Sequence, residues 1–174
     1  MRFAYADPPY IGKAHLYGEE EVDHVELLRK LQGGYDGWAL SCWWSSLAIL
    51  LPMLGKSKYR IGVWIKPDAQ PRNRIAVSWE PVIYRTVSNP VHEKGRMSLM
   101  RDYVIASRCA RKACFRGHKP DDFCYWLFEL LGMKPEDEFD DLFPGTGRVA
   151  RAWELWRGAG IELFAQTDGP RAQL

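Results

Sequence analysis

Asp7, Pro8, Pro9 and Tyr10 stand together after a short run of aromatic and small residues, Arg2-Phe3-Ala4-Tyr5-Ala6. The run reads as a buried strand, so one strand tip receives a carboxylate, a rigid corner and an aromatic ring. Each proline fixes φ at about −65° and lacks an N–H, so the corner keeps one shape and its carbonyls stay free to accept. Such a tip could hold a planar amino group. Asp7 would accept one N–H, the Pro8 carbonyl a second, and Tyr10 would stack on the ring. The same four residues would also make a plain turn with a capping aspartate. What the rest of the chain supplies decides between the two.

A second constellation is Asp141-Leu142-Phe143-Pro144-Gly145-Thr146-Gly147, which ends a strand and opens a helix over 148–156. Gly145 and Gly147 let the backbone approach a ligand closely. The helix start offers N–H groups and a positive dipole end to an anion. A lone G-x-G is a weak sign, and the strand–turn–helix setting with an acid before it is a stronger one. A third group, His118-Lys119-Pro120, precedes a helix over 121–131 whose buried stripe is Phe123, Trp126, Leu127, Leu130 and Leu131. Gly132 closes that helix.

Other elements must position these groups. Val22, Val25, Leu28 and Leu31 recur at helical spacing and predict a helix over 19–32, ended by Gly33-Gly34. Its acidic first turn reads as a solvated helix start. Residues 37–42 read as a buried strand and 43–54 as an apolar helix with Pro52 near its end. Strands over 60–66 and 75–84 should pair antiparallel across a polar turn at 67–74. In the second of these, Trp79 and Glu80 fall on opposite faces, and Glu80 reads as an exposed or capped edge residue. A last strand is expected over 161–165, followed by a loose tail.

The chain has 174 residues, 47% of them apolar, which points to one domain over 1–174 with one real core. Aromatic residues make up 13%, enough for core and stacking surface together. No run of 18 apolar residues occurs and the start does not read as a signal peptide, so the expectation is a cytoplasmic protein without a membrane partner. Net charge is only +2, so any affinity for nucleic acid must come from local clustering. Residues 85–119 supply it, with nine basic against two acidic residues, a local balance of +7. Within this block Arg96, Arg101, Arg108, Arg111, Lys112 and Arg116 are the candidates for phosphate contacts, with Tyr103 and Phe115 interleaved. A solvated basic loop is the plainer reading. Cys109, Cys114, His118 and Cys124 have a spacing that could hold zinc. Cys124 falls inside an apolar helix, however, so no metal is expected. The four cysteines read as reduced thiols, with Cys42 in the core.

Taken together, residues 7–10, 118–120 and 141–147 resemble the amino-methyltransferases that use S-adenosylmethionine (SAM). Their order matches the permuted β-class, with catalytic motif IV first, then motif X, then motif I. The resemblance covers the two ends of the chain better than its middle. It implies an α/β, permuted Rossmann-like methyltransferase fold: a mixed sheet with an antiparallel hairpin at one edge and helices on both faces. The strands of motifs IV and I should lie side by side, with both loops at their C-terminal ends. The cofactor implied is SAM, bound by Asp141, Phe143, Gly145, Thr146 and Gly147, flanked by His118, Lys119 and Pro120, with Asp7 at its reactive end. Asp7, Pro8, Pro9 and Tyr10 would be the catalytic tip.

Family usage links Asp-Pro-Pro-Tyr mainly to the amino group of adenine, which implies N6 methylation of adenine in DNA. RNA adenine, the cytosine amino group of DNA, and a catalytically degenerate nucleic-acid-binding module are the alternatives. The short length suggests a phage or mobile-element enzyme, or part of a restriction-modification system. Residues 85–117 stand where members carry a larger target-recognition region, so a homodimer or partner subunit would supply the remainder. Two features depart from the pattern. The strand and acidic turn that usually precede motif IV are not seen before Arg2. The acid that binds the cofactor ribose has only Glu162, Gln166 and Asp168 as candidates, none a clear match.

Overall fold

Alternation along a single strand builds the molecule in three layers. In β1 (Arg2–Ala6), Phe3 and Tyr5 point to one face of the sheet and Ala4 and Ala6 to the other. The same alternation sorts β2 (Gly37–Ser41), where Trp38 and Leu40 oppose Ala39, and β4 (Trp79–Arg85), where Val82 and Tyr84 oppose Ile83. Both faces are therefore apolar, and each is covered by helices. The computed structural model describes residues 1–67, 76–87, 100–107 and 118–159. The expected strand over 161–165, most of the expected turn at 67–74 and most of the basic block lie outside these residues.

The sheet is completed by β3 (Arg60–Ile65), β5 (Tyr103–Ile105) and β6 (Glu138–Asp141). Its order is β5-β3-β4-β2-β1-β6. The strands β6, β1 and β2 run parallel, β4 runs antiparallel to both β2 and β3, and β5 pairs parallel with β3. The expected β3–β4 hairpin stands toward one side of the sheet, with β5 beyond it. Part of the stretch 85–117, expected to stand in place of a target-recognition region, thus belongs to the sheet. Gly37 is required where β2 passes Phe3, since a Cβ there would lie 2.6 Å from the Phe3 ring.

On one face lie α1 (His24–Gly34) and α2 (Leu47–Leu54), which bury Leu27, Leu28, Leu31, Leu50 and Leu54 against Trp38 and Ile83. On the other lie α3 (Asp121–Leu131) and α4 (Arg148–Ala159), joined through Phe128, Trp153 and Trp156 with ring centroids 5.3–5.8 Å apart. Helix α1 starts later than its sequence pattern predicts. The Asp23 carboxylate caps it by accepting from the N–H groups of Val25 and Glu26. Leu27 takes the buried position and Val25 is left 48% exposed. Helix α3 has the predicted bounds. Among the described residues no helix is long and apolar enough to cross a membrane.

Candidate active site

The strands carrying the first two constellations are neighbours: β1 and β6 pair parallel, with Tyr5 beside Asp141. The Leu142 N–H donates to the Tyr5 carbonyl at 2.9 Å and carries the ladder one residue further. Residues 7–10 and 141–147 therefore leave the sheet side by side at its C-terminal edge, where an open α/β sheet binds ligands.

After Tyr10 the chain turns at once, with the Lys13 N–H donating to the Tyr10 carbonyl at 2.7 Å. Gly12 adopts a φ of 74° in this turn. The loop is fastened from outside by Glu21, which accepts from the N–H groups of Gly12 and Ala14. The acidic stretch before α1 thus anchors the loop that leaves the tip. The Tyr10 ring lies 5.8 Å from Trp43, at an interplanar angle of 33°. Trp44, the next residue, is 45% exposed.

Beneath the tip lies a chain of charges that sequence reasoning did not foresee. The Lys119 ammonium is 2.9 Å from Asp7 Oδ2 and 2.6 Å from Glu80 Oε1. The Lys66 ammonium is 2.6 Å from Glu80 Oε2, and the Tyr10 hydroxyl donates to the same oxygen at 3.0 Å. Trp64 lies alongside both ammonium groups, its ring centre 4.4 Å from Lys66 and 5.4 Å from Lys119. Glu80, expected at an exposed edge, is instead 2% exposed. The physical reason is topological. Because β4 runs antiparallel, its first residues arrive at the edge where the parallel strands deliver their last ones. Burial there is tolerable only because two cations flank the carboxylate. The available signal was a Lys and a Glu, each followed by proline, at facing ends of the expected hairpin (Lys66-Pro67 and Glu80-Pro81).

Electrostatics differ sharply among the three carboxylates of the site. Burial raises the Asp7 carboxyl, and the Lys119 ammonium opposes that rise. Burial would raise Glu80 too, but Lys119 and Lys66 outweigh it and bring it down to about 2. Burial pushes Asp141 up to about 6, opposed only in part by the Phe143 amide. The Phe143 amide stands outside hydrogen-bond geometry, so neither Asp141 oxygen has a hydrogen-bond partner among the described residues. Lys119 itself is held charged, its burial overcome by Asp7 and Glu80.

The glycine loop has the required form. Gly145 and Gly147 adopt φ values of 48° and 73°, and the Gly147 N–H closes a turn on the Pro144 carbonyl. Nothing lies within 4 Å of a Cβ built on Gly147. Thr146, Gly147 and Arg148 line an open cleft of about 370 Å³ together with His118, Asp121 and Arg151. Arg148 is tied to Asp121 at 3.1 Å, which joins the starts of α3 and α4. SAM fits the residues present: an orphaned buried carboxylate suits its cationic methionine end, and the open glycine turn leaves room for it.

The expected site residues divide accordingly. Asp7 to Tyr10 and 141–147 converge, and His118 adjoins the glycine loop. Lys119 shares that segment but turns its ammonium toward Asp7 and Glu80 instead of the cleft. Of the basic candidates, Arg101 is exposed and packs on Tyr103, with its guanidinium donating to the hydroxyl at 2.7 Å. Arg96, Arg108, Arg111, Lys112 and Arg116 lie outside the described residues. Arg85, counted in the basic block, donates to the carbonyls of Gln32 and Tyr35 and so serves the fold. Of the zinc spacing, Cys124 is buried in the core, its thiol pushed by burial to about 12. Cys109 and Cys114 are not among the described residues.

Neither a protein-family model nor a curated protein matches the chain. Solved structures do. The crystal structure of the M1.HpyAVI–SAM complex has a TM-score of 0.61 at 16% identity, covering 88% of this chain and 77% of that one. The crystal structure of M1.HpyAVI has a TM-score of 0.57 at 16% identity, covering 88% and 75%. The chain shares the mixed-sheet α/β methyltransferase fold of these structures.

Proposed function

We propose that this chain transfers a methyl group from SAM to the exocyclic N6 amino group of adenine in DNA. The observation that carries the reading is the meeting of Asp7-Pro8-Pro9-Tyr10 and Asp141–Gly147 at adjacent ends of β1 and β6. The likeness to a SAM complex supports the cofactor, and the Asp-Pro-Pro-Tyr tip supports an aromatic amine as acceptor.

Bound SAM supplies an electrophilic methyl group on a sulfonium. The residues of this chain do the rest. An aromatic amine is a poor nucleophile because its lone pair is conjugated with the ring. Accepting its two N–H bonds at Asp7 and the Pro8 carbonyl favours a pyramidal nitrogen whose lone pair can turn toward the methyl. Tyr10, backed by Trp43, offers a face on which a base stacks once it has left the duplex. Transfer would be an in-line displacement, the N–C bond forming as the sulfonium S–C bond breaks to a neutral thioether and the surplus amine proton passing to solvent, so positioning carries a large share of the rate. Asp141 would balance the positive charge at the methionine end.

The test is methyl transfer from SAM to DNA and to RNA, followed by mass analysis of the digested product. Methylated adenine in DNA is expected, and Asp7→Ala should abolish it while the fold and most SAM binding persist. Methylcytosine alone would overturn the base, and methylated RNA without methylated DNA would overturn the substrate. An Asp7→Ala variant near wild-type turnover would remove Asp7 from the chemistry.

A further inference from the structure

We propose that Glu80 and Lys119 are positioning residues that hold Asp7 and Tyr10 in one fixed relation at the acceptor end of the site. The inference rests on the reading of residues 7–10 as the amine-holding tip. Glu80 reaches both arms of that tip. Its Oε2 takes the Tyr10 hydroxyl at 3.0 Å, and its Oε1 takes the Lys119 ammonium at 2.6 Å, which in turn grips Asp7 Oδ2 at 2.9 Å. Lys119 and Glu80 are 4% and 2% exposed, so neither contact is a mobile surface pair.

Stability alone does not account for this arrangement. Desolvating two charges costs about as much as their attraction returns, and an apolar pair of similar volume serves a core as well. What the network does provide is direction. With Oδ2 held by Lys119, Asp7 has Oδ1 left to accept from an amine. With its hydroxyl on Glu80, Tyr10 keeps one ring plane. Both features are what a planar amine needs, and both fail together if Glu80 or Lys119 is lost.

The charges around Asp7 make the role separable from a merely structural one. Asp7 faces Lys119 from the start of α3, Glu80 from β4, Lys66 from the end of β3, and Tyr5 from β1. Asp141 at the end of β6, Tyr10 and Cys42 feel its charge as well. Removing the Lys119 cation leaves the partly buried Asp7 beside Glu80, so it should take up a proton at higher pH. Removing the Glu80 charge leaves Lys119 to Asp7 alone, so Asp7 should hold its charge to lower pH. These shifts show that both charges reach Asp7, and a loss of kcat with KM for SAM held is what a merely structural role does not give.

The experiment compares full-length wild type with Lys119→Met and Glu80→Gln. It measures kcat and KM against pH with SAM and an adenine-containing DNA duplex, and follows the Asp7 carboxyl carbon by NMR titration. Both variants should lose kcat by ~100-fold, as expected when a reacting group is misplaced by about 1 Å. KM for SAM should stay within about threefold, because ground-state cofactor binding is untouched. The acid limb of kcat and the Asp7 titration should move up in Lys119→Met and down in Glu80→Gln. Turnover within about threefold of wild type in both variants, or titrations that do not move in opposite directions, would overturn the proposal. If Lys119→Met does not fold, Glu80→Gln alone decides, by a downward shift or its absence. A wild type that methylates neither DNA nor RNA would overturn the methyl-transfer reading, and the Asp7 titrations would still decide the positioning.

Discussion

Two carboxylates of the candidate site, Glu80 and Asp141, should give opposite pH signatures. Glu80 ordinarily titrates near 4.5 and is brought down to about 2 in the folded chain. Its contribution to stability is therefore complete above about 4.5 and is lost as pH falls through about 2. Asp141 is the reverse case, raised from 3.8 to about 6. The folded chain keeps that proton longer than the unfolded one, so stability declines as pH rises from about 4 to about 6. Denaturant unfolding at a series of pH values should show the first slope flattened in Glu80→Gln and the second flattened in Asp141→Asn. Asp141→Asn should also stabilise the cofactor-free protein near pH 7, since a partly buried charge without a side-chain partner is removed. Calorimetry should show the same variant binding SAM more weakly. A variant that is both more stable and equally tight would mean that Asp141 does not meet the cofactor.

The glycine loop and the α1 cap make separate tests among the elements. Gly147→Val should abolish SAM binding, because a β-branched residue resists a φ of 73° and fills the open side of the turn. Asp23→Ala should cost ~1 kcal/mol in denaturant unfolding by removing the α1 cap, with SAM binding unchanged. The elements that sequence predicted well are those specified by neighbours in the chain. The aromatic run 2–6 gives β1, and Gly132 ends α3 where periodicity ends. The 141–147 loop likewise keeps its strand–turn–helix form. Helix α1 departs from its pattern because Val25 fits the helical spacing, while the Asp23 cap sets a later start and a different buried face. The burial of Glu80 has a different cause. Its partner Lys119 is 39 residues further along the chain, and their meeting depends on β4 running against β2. Local pattern does not encode a contact of that kind.

Charge and core are properties of the whole molecule. Of the nine basic residues in 85–119, Arg85 and Lys119 are engaged internally, which leaves seven as candidates for a phosphate backbone. If they track one, log affinity for DNA should fall by roughly 0.7–0.9 per log unit of salt for each phosphate neutralised. Replacing Arg108, Arg111 and Lys112 together should flatten that slope without changing which base is methylated. An unchanged slope would direct the block to a protein partner. The sheet also divides two interiors of unequal composition. The α3–α4 side holds Trp64, Phe123, Trp126, Phe128 and Trp153, whereas the α1–α2 side is built mainly from leucines around Trp38. The stacked pair Trp153–Trp156, 5.4 Å apart, belongs to the first. Near-ultraviolet circular dichroism will therefore report chiefly on one half of the protein. Leu31→Ala, cut into the other half, lets the optical signal and heat uptake be compared. Coincident melting curves would show that the two halves unfold as one cooperative unit across the sheet, and divergent curves that they do not.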